Sequence, residues 1–163
     1  MAHYGTEAKF EEYCLQMGYT PTEGEVDPAL ERATLWLDTY YGPRYPGKRT
    51  DGRNQPLGWP RTGVVDCQGQ VVAPDEVPIE IERATYEAAL RELSAPYSLS
   101  PDVTAGKVYK SVSVSGAVSV TYADEGGVVA SQRPTLTIVD DMLSCLLSAG
   151  QAGRSMVKWL QRT

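Results

Sequence analysis

Apolar side chains recur every three to four residues in several stretches of this chain and every second residue in another. Phe10, Tyr13, Cys14 and Met17 fall at i, i+3, i+4 and i+7, the spacing that lines one stripe of a helix. Thr6 stands where a hydroxyl can cap that helix, and Gly18 where the chain can leave it. Asp27-Pro28 reads as an N-cap followed by proline at the first helical position. Leu30, Ala33, Trp36, Leu37 and Tyr40 then form a broad buried face, ending near Gly42-Pro43. Pro78 opens a third helix that runs to about Ser94. Its apolar residues have two sides: Ile79, Tyr86, Leu90 and Leu93 share one stripe, and Ile81, Ala84 and Ala88 lie nearly opposite. Such a helix needs neighbours on both faces. Either it is the central helix of one subunit, or its small-residue side receives a second subunit.

From Val108 to Tyr122 the chain reads VYKSVSVSGAVSVTY, the alternation of a half-buried strand. Parity constrains how it folds. A two-residue turn at Ser115-Gly116 would put Val112 and Val114 on the opposite face from Val118 and Val120, whereas an odd-length loop pairs valine with valine. The expectation is therefore an odd-looped hairpin or one continuous strand. Thr137 with Asp140 three residues on resembles a capping box; a last helix follows with Ile138, Val139, Met142, Leu143, Leu146 and Leu147 as core candidates and Gly150 as its end. The predicted fold class is mainly α, a small bundle of about four helices with one β-hairpin or long strand. A long Pro/Gly-rich loop between Gly42 and Pro78 and an extended C-terminal tail complete it. Residues 1–150 make one helical domain, with the β element at about 108–122, and 151–163 a C-terminal tail.

With 163 residues, 42% of them hydrophobic, the chain can bury one core and is too short for two domains. No apolar run is long enough to span a membrane. Its three cysteines, Cys14, Cys67 and Cys145, are odd in number and far apart, which favours a reducing cytosol over a disulfide framework. Cys14 and Cys145 sit in helical patterns and are expected in the core. The sole histidine, His3, is terminal, so the usual nucleophile–base and metal arrangements lack their commonest member. The adjacent acids Asp75-Glu76, Asp124-Glu125 and Asp140-Asp141 read as caps and solvated positions, and Gly126-Gly127 lacks a phosphate-loop context. Nothing here points to an enzyme, a cofactor or a metal. The chemistry left is binding.

Charge sharpens that. Net charge is −6, which disfavours a general phosphate-neutralising surface, yet the distribution is uneven. Residues 1–42 carry eight acids and two bases, whereas residues 43–61 carry Arg44, Lys48, Arg49, Arg53 and Arg61 against Asp51 alone. The last 18 residues hold Arg154, Lys158 and Arg162 and no acid. An acidic body with a basic loop and a basic tail suits docking between complementary patches.

Read in order, the chain resembles a family of tailed-bacteriophage proteins that join the DNA-filled head to the tail, the head-tail connector or tail-accessory adaptors. The resemblance rests on Tyr13 in the first helix, ALERATLWLD at Ala29 to Asp38, QPLGWPRTGVVDCQGQVV at Gln55 to Val72, EVPIEIERATYEAAL at Glu76 to Leu90, the strand ending SVTY, and the apolar helix after Arg133-Pro134. Trp59-Pro60-Arg61, followed by Gly63, Gly69 and then Pro78 at the head of a helix, is its signature. It implies a virion structural protein located at the head-tail neck, and in the host cytoplasm during assembly. It further implies a homo-oligomeric ring, a dodecamer, that binds the portal protein and tail or neck proteins. Double-stranded DNA would pass through the ring without sequence-specific binding, and no membrane is involved. The subunit-interface candidates are then Arg44, Tyr45, Arg49, Arg53, Trp59 and Arg61: Pro56 and Pro60 hold Trp59 against the core while Arg61 and the preceding bases project toward acidic helices of the next subunit. Met156, Val157, Lys158, Trp159, Leu160 and Arg162 are the portal-docking candidates, ordering on the partner. Proteins similar to this one are also labelled as resembling a primosomal single-stranded-DNA-binding domain. On that competing reading Tyr40, Tyr41, Tyr45 and Trp59 stack bases beside Arg44, Lys48, Arg49 and Arg53.

Overall fold

The computed structural model describes residues 2–20, 25–100, 109–113, 119–122 and 135–155. It contains four helices: α1 (Glu7–Met17), α2 (Val26–Tyr41), α3 (Ile79–Ser94) and α4 (Thr137–Ser155). Two antiparallel strand pairs accompany them, β1 (Lys48–Arg49) with β2 (Arg61–Thr62) and β3 (Tyr109–Ser113) with β4 (Ser119–Tyr122). The fold is mainly helical, as the periodicity predicts.

α1 begins and ends where its signals stand. The Thr6 hydroxyl accepts from the Lys9 N–H, and Gly18 leaves the helix in the left-handed region, its N–H returning to helix carbonyls. Phe10, Tyr13 and Cys14 are buried, while Met17 is exposed. α2 starts at Val26, so Asp27-Pro28 occupies the first turn instead of the cap. Its buried face extends to Tyr41, one residue past the expected stripe, and Tyr40 is half-buried.

α3 is the central helix of the single subunit. It packs against α1, α2 and α4, which accounts for both of its apolar sides. Ile81, Ala84, Ala88 and Ala89 are wholly buried, whereas Ile79 on the other predicted stripe is exposed. Phe10 meets Tyr86 edge-on at 5.8 Å, Lys9 pairs with Glu82, and the Tyr13 and Tyr19 hydroxyls both donate to Glu87 Oε1. Arg32, in the second turn of α2, meets Glu92, in the last turn of α3, at 2.8 Å, so these two helices run antiparallel.

α4 buries Val139, Leu143 and Leu146, but Ile138 lies outside the core. Leu136, not Thr137, supplies the first helical carbonyl, so the expected capping box is not formed. Asp140 instead accepts from the Tyr41 hydroxyl at 2.8 Å. The helix also continues through Gly150 to Ser155, across the expected boundary between domain and tail. Between β3 and β4, Val112 pairs with Val120 and Ser113 with Ser119. The hairpin alternative therefore holds, with the odd loop that parity required.

The cysteines depart from expectation. Cys67 and Cys145 form a disulfide, and Cys145 is half-buried, outside the core where its helical pattern places it. Cys14 is free and buried.

Candidate functional site

Loop 42–78 leaves α2 through a short helical turn, Gly42–Arg44, and folds back on itself where β1 pairs with β2, Lys48 opposite Thr62 and Arg49 opposite Arg61. Gln55 closes the turn between the strands. Its Oε1 accepts from the Asp51 N–H, and its Nε2 donates to the carbonyls of Leu57 and Pro60 at 2.9 Å each. Two glycines make the path possible. At Gly47 φ is +66°, and a side chain would collide with the Thr62 carbonyl; at Gly58 a Cβ would come within 2.6 Å of Asp38 Oδ1.

The loop is fastened to the helices by a buried polar hub. Asp38, on the last turns of α2, accepts from the Gly58 N–H at 2.6 Å through Oδ2 and from the Tyr4 hydroxyl at 2.7 Å through Oδ1. The same hydroxyl accepts from the Trp59 N–H at 2.9 Å. Burial raises the Asp38 pKa, against the lowering effect of these hydrogen bonds and of Arg49 and Arg61. The Tyr4 N–H in turn donates to Thr34 Oγ1. Neither Tyr4 nor Asp38 was among the candidate residues. The available signal was Thr34 and Asp38, two polar side chains one turn apart at the edge of the apolar face of α2.

This arrangement decides where each candidate side chain sits. Trp59 is fully buried and meets Tyr45 edge-on at 5.6 Å. Tyr45 is itself buried, which raises its pKa. Arg61 also points inward. Its Nε donates to the Pro46 carbonyl at 2.6 Å, Nη1 to Gly58 at 3.1 Å and Nη2 to Gly47 at 2.9 Å, with the guanidinium 5.8 Å from the Tyr45 ring. Burial lowers its pKa, with Arg49 acting in the same direction. The projection of Arg61 toward a neighbouring subunit is thereby corrected: the carbonyls of Pro46, Gly47 and Gly58 converge on the guanidinium and hold it inside, where it staples the loop. Tyr45 and Trp59 are likewise core residues of their own subunit.

What remains outside is a group of cations. Lys48, Arg49 and Arg53 are exposed, and Arg44 lies over the rings of Tyr41 at 4.5 Å and Tyr40 at 5.2 Å, with one nitrogen 4.0 Å from Asp140. Tyr40 is half-buried and stacked on Trp36 at 5.5 Å; Tyr41 is wholly buried. Several large apolar side chains also face outward, among them Leu15, Leu35, Val71 and Tyr97, each more than two-thirds exposed. The tail candidates Met156, Val157, Lys158, Trp159, Leu160 and Arg162 lie outside the described residues. Among the described residues no acid, cysteine or histidine cluster has the shape of a metal site, and no helix is long and apolar enough to cross a membrane.

A family model described as "Putative DnaT-like ssDNA binding protein" matches residues 3–163. No curated protein and no solved structure matches the chain significantly.

Proposed function

The chain belongs to this DnaT-like family; from the structure of its loop, we propose that it acts by docking on other proteins, as a connector subunit between the portal and the tail of a phage particle. The observation that carries this reading is the burial of Tyr41, Tyr45 and Trp59. A single-strand binder sets exposed aromatic faces beside cations so that bases can stack on them. Here three of the four candidate platforms are inside the core, and the fourth, Tyr40, already stacks on Trp36. The body is acidic, while cations on the loop and apolar side chains on the helices face outward, a surface suited to protein partners.

A second reading, single-stranded-DNA binding, is the one that the family's description supports, and Arg44, Lys48, Arg49 and Arg53 give it a cationic patch. The two readings separate in one pair of measurements. The connector reading expects a mass increase when the chain is mixed with the portal protein of its own virus, and weak, non-saturating anisotropy changes with a labelled oligothymidine in moderate salt. Saturable oligothymidine binding that weakens steeply with salt, together with no portal complex, would replace the connector reading with the second one.

A further inference from the structure

We propose that Cys67 and Cys145 are a thiol-controlled clasp: a reversible disulfide that locks the middle of α4 to the turn at 64–72 in oxidising surroundings and releases it in reducing ones. The two halves of the clasp are built independently of the bond. Around Cys67, Val65 bridges Val71, the Val72 N–H donates to the Val64 carbonyl, and Asp66 Oδ1 accepts from the Gln68 and Gln70 N–H groups. These contacts hold the turn without drawing on the sulfur of Cys67. On the other side, α4 is held to the core by Val139, Leu143 and Leu146. At about 100° per residue, Cys145 falls off that stripe and onto the one shared by Ile138 and Met142, which are exposed and half-buried respectively. The disulfide thus fixes the outer side of α4 to a preformed turn 78 residues away in sequence.

Access and electrostatics favour exchange at this pair. Cys67 is exposed at the turn, open to a small thiol or disulfide, while Cys14 is wholly buried and takes no part. The Cys67 N–H lies 3.2 Å from Cys145 Sγ, a donor that would support the thiolate there once the bond is reduced. Closure needs a two-electron oxidant, which a low-molecular-weight disulfide such as oxidised glutathione supplies. The Cys67 thiolate attacks it and releases one small thiol; the Cys145 thiolate then attacks Cys67 Sγ and releases the second. Two protein thiols lose two electrons and two protons, and one small disulfide becomes two small thiols.

The test equilibrates the full chain in glutathione buffers from fully reduced to fully oxidised, followed by alkylation, intact-mass measurement and thermal unfolding. The expected result is a single transition in which two of three thiols become protected. Cys14 should be alkylated only after denaturation, and the oxidised form should melt about 10 °C higher. Hydrogen exchange across 139–147 should slow on oxidation. Cys67→Ser and Cys145→Ser should each keep reduced-state exchange in every buffer, while Cys14→Ser keeps the full response. Thiols at 67 and 145 that stay alkylatable in every buffer, or oxidised and reduced forms with the same exchange in α4, would overturn the clasp. Since the wild-type chain alone gives both readouts, a serine variant that fails to fold does not rescue it.

Discussion

Arg61 carries its charge inward onto the carbonyls of Pro46, Gly47 and Gly58, so its removal takes a donor from three carbonyls at once, of which that of Gly58 is buried. Each such charge-assisted bond contributes on the order of 1.5–3 kcal/mol, and a buried acceptor left without a donor costs a further desolvation penalty. Arg61→Met should therefore lower stability by about 3 kcal/mol or more, read as a shift of the urea midpoint. Arg61→Lys should recover less than half of that, because an ammonium cannot reach three acceptors with a planar fork. A near-neutral Arg61→Met would mean that the loop is held mainly by Trp59 and the Asp38 hub. The inward position was not legible in the sequence for a specific reason. The basic character of segment 43–61 can be counted, but Arg61's partners are backbone carbonyls, which every residue has. Only the path forced by Gly47, Gly58 and the Gln55 closure brings three of them together.

Helices were legible where their signals are local, as at Thr6 and Gly18 of α1 and at Pro78 of α3. For β3 and β4 parity left two alternatives, an odd-looped hairpin or one continuous strand, and the pairing of Val112 with Val120 is that of the hairpin. α4 runs past Gly150 because a helix interior tolerates glycine at a cost of about 1 kcal/mol, too little to stop a helix. Its disulfide to Cys67 could not be read at all, for nothing short-range links positions 78 apart. Along α3, Ala84 and Ala88 left open whether a neighbouring helix or a second subunit comes close, and the structure packs them inside the subunit. Ala88→Leu should then act on the monomer, costing about 2 kcal/mol by overpacking, with no loss of self-association beyond that explained by unfolding. An intact, stable monomer that fails only to assemble would return this stripe to the subunit surface.

At the scale of the whole molecule, buried phenols and segregated charge make separate demands. Burial, with a contribution from Glu82, pushes the Tyr86 hydroxyl from 10.0 up to about 12, and Tyr4, Tyr13, Tyr41 and Tyr45 are raised as well. Between pH 10 and about 12 the unfolded chain gives up phenolic protons that the folded chain keeps. The unfolded state then binds fewer protons, so stability falls as pH rises through that window and is undiminished below it. Denaturant titrations from pH 8 to 11.5 should show this slope, and Tyr86→Phe should reduce it by the share of one phenol, the other buried tyrosines keeping the rest.

The charge pattern bears on assembly more directly. With Arg61 inside, the outward cations of the loop are Arg44, Lys48, Arg49 and Arg53, while Glu7, Glu11 and Glu12 are exposed on α1. Opposite patches on separate elements can pair between copies or with a partner, where they steer encounter and fix register. Reversing Arg49 and Arg53 to glutamate should weaken self-association or portal binding about tenfold or more at low salt, with the difference shrinking as salt is added. If the loop meets the α1 face of a second copy, Glu11→Lys with Glu12→Lys on that copy should restore binding in a mixture of the two variants, though neither restores it alone. Single-stranded DNA offers no carboxylates to exchange. Under the DNA reading the loop reversal abolishes binding and the α1 reversal strengthens it in every combination, so the mixture distinguishes the two functions by the sign of one measurement.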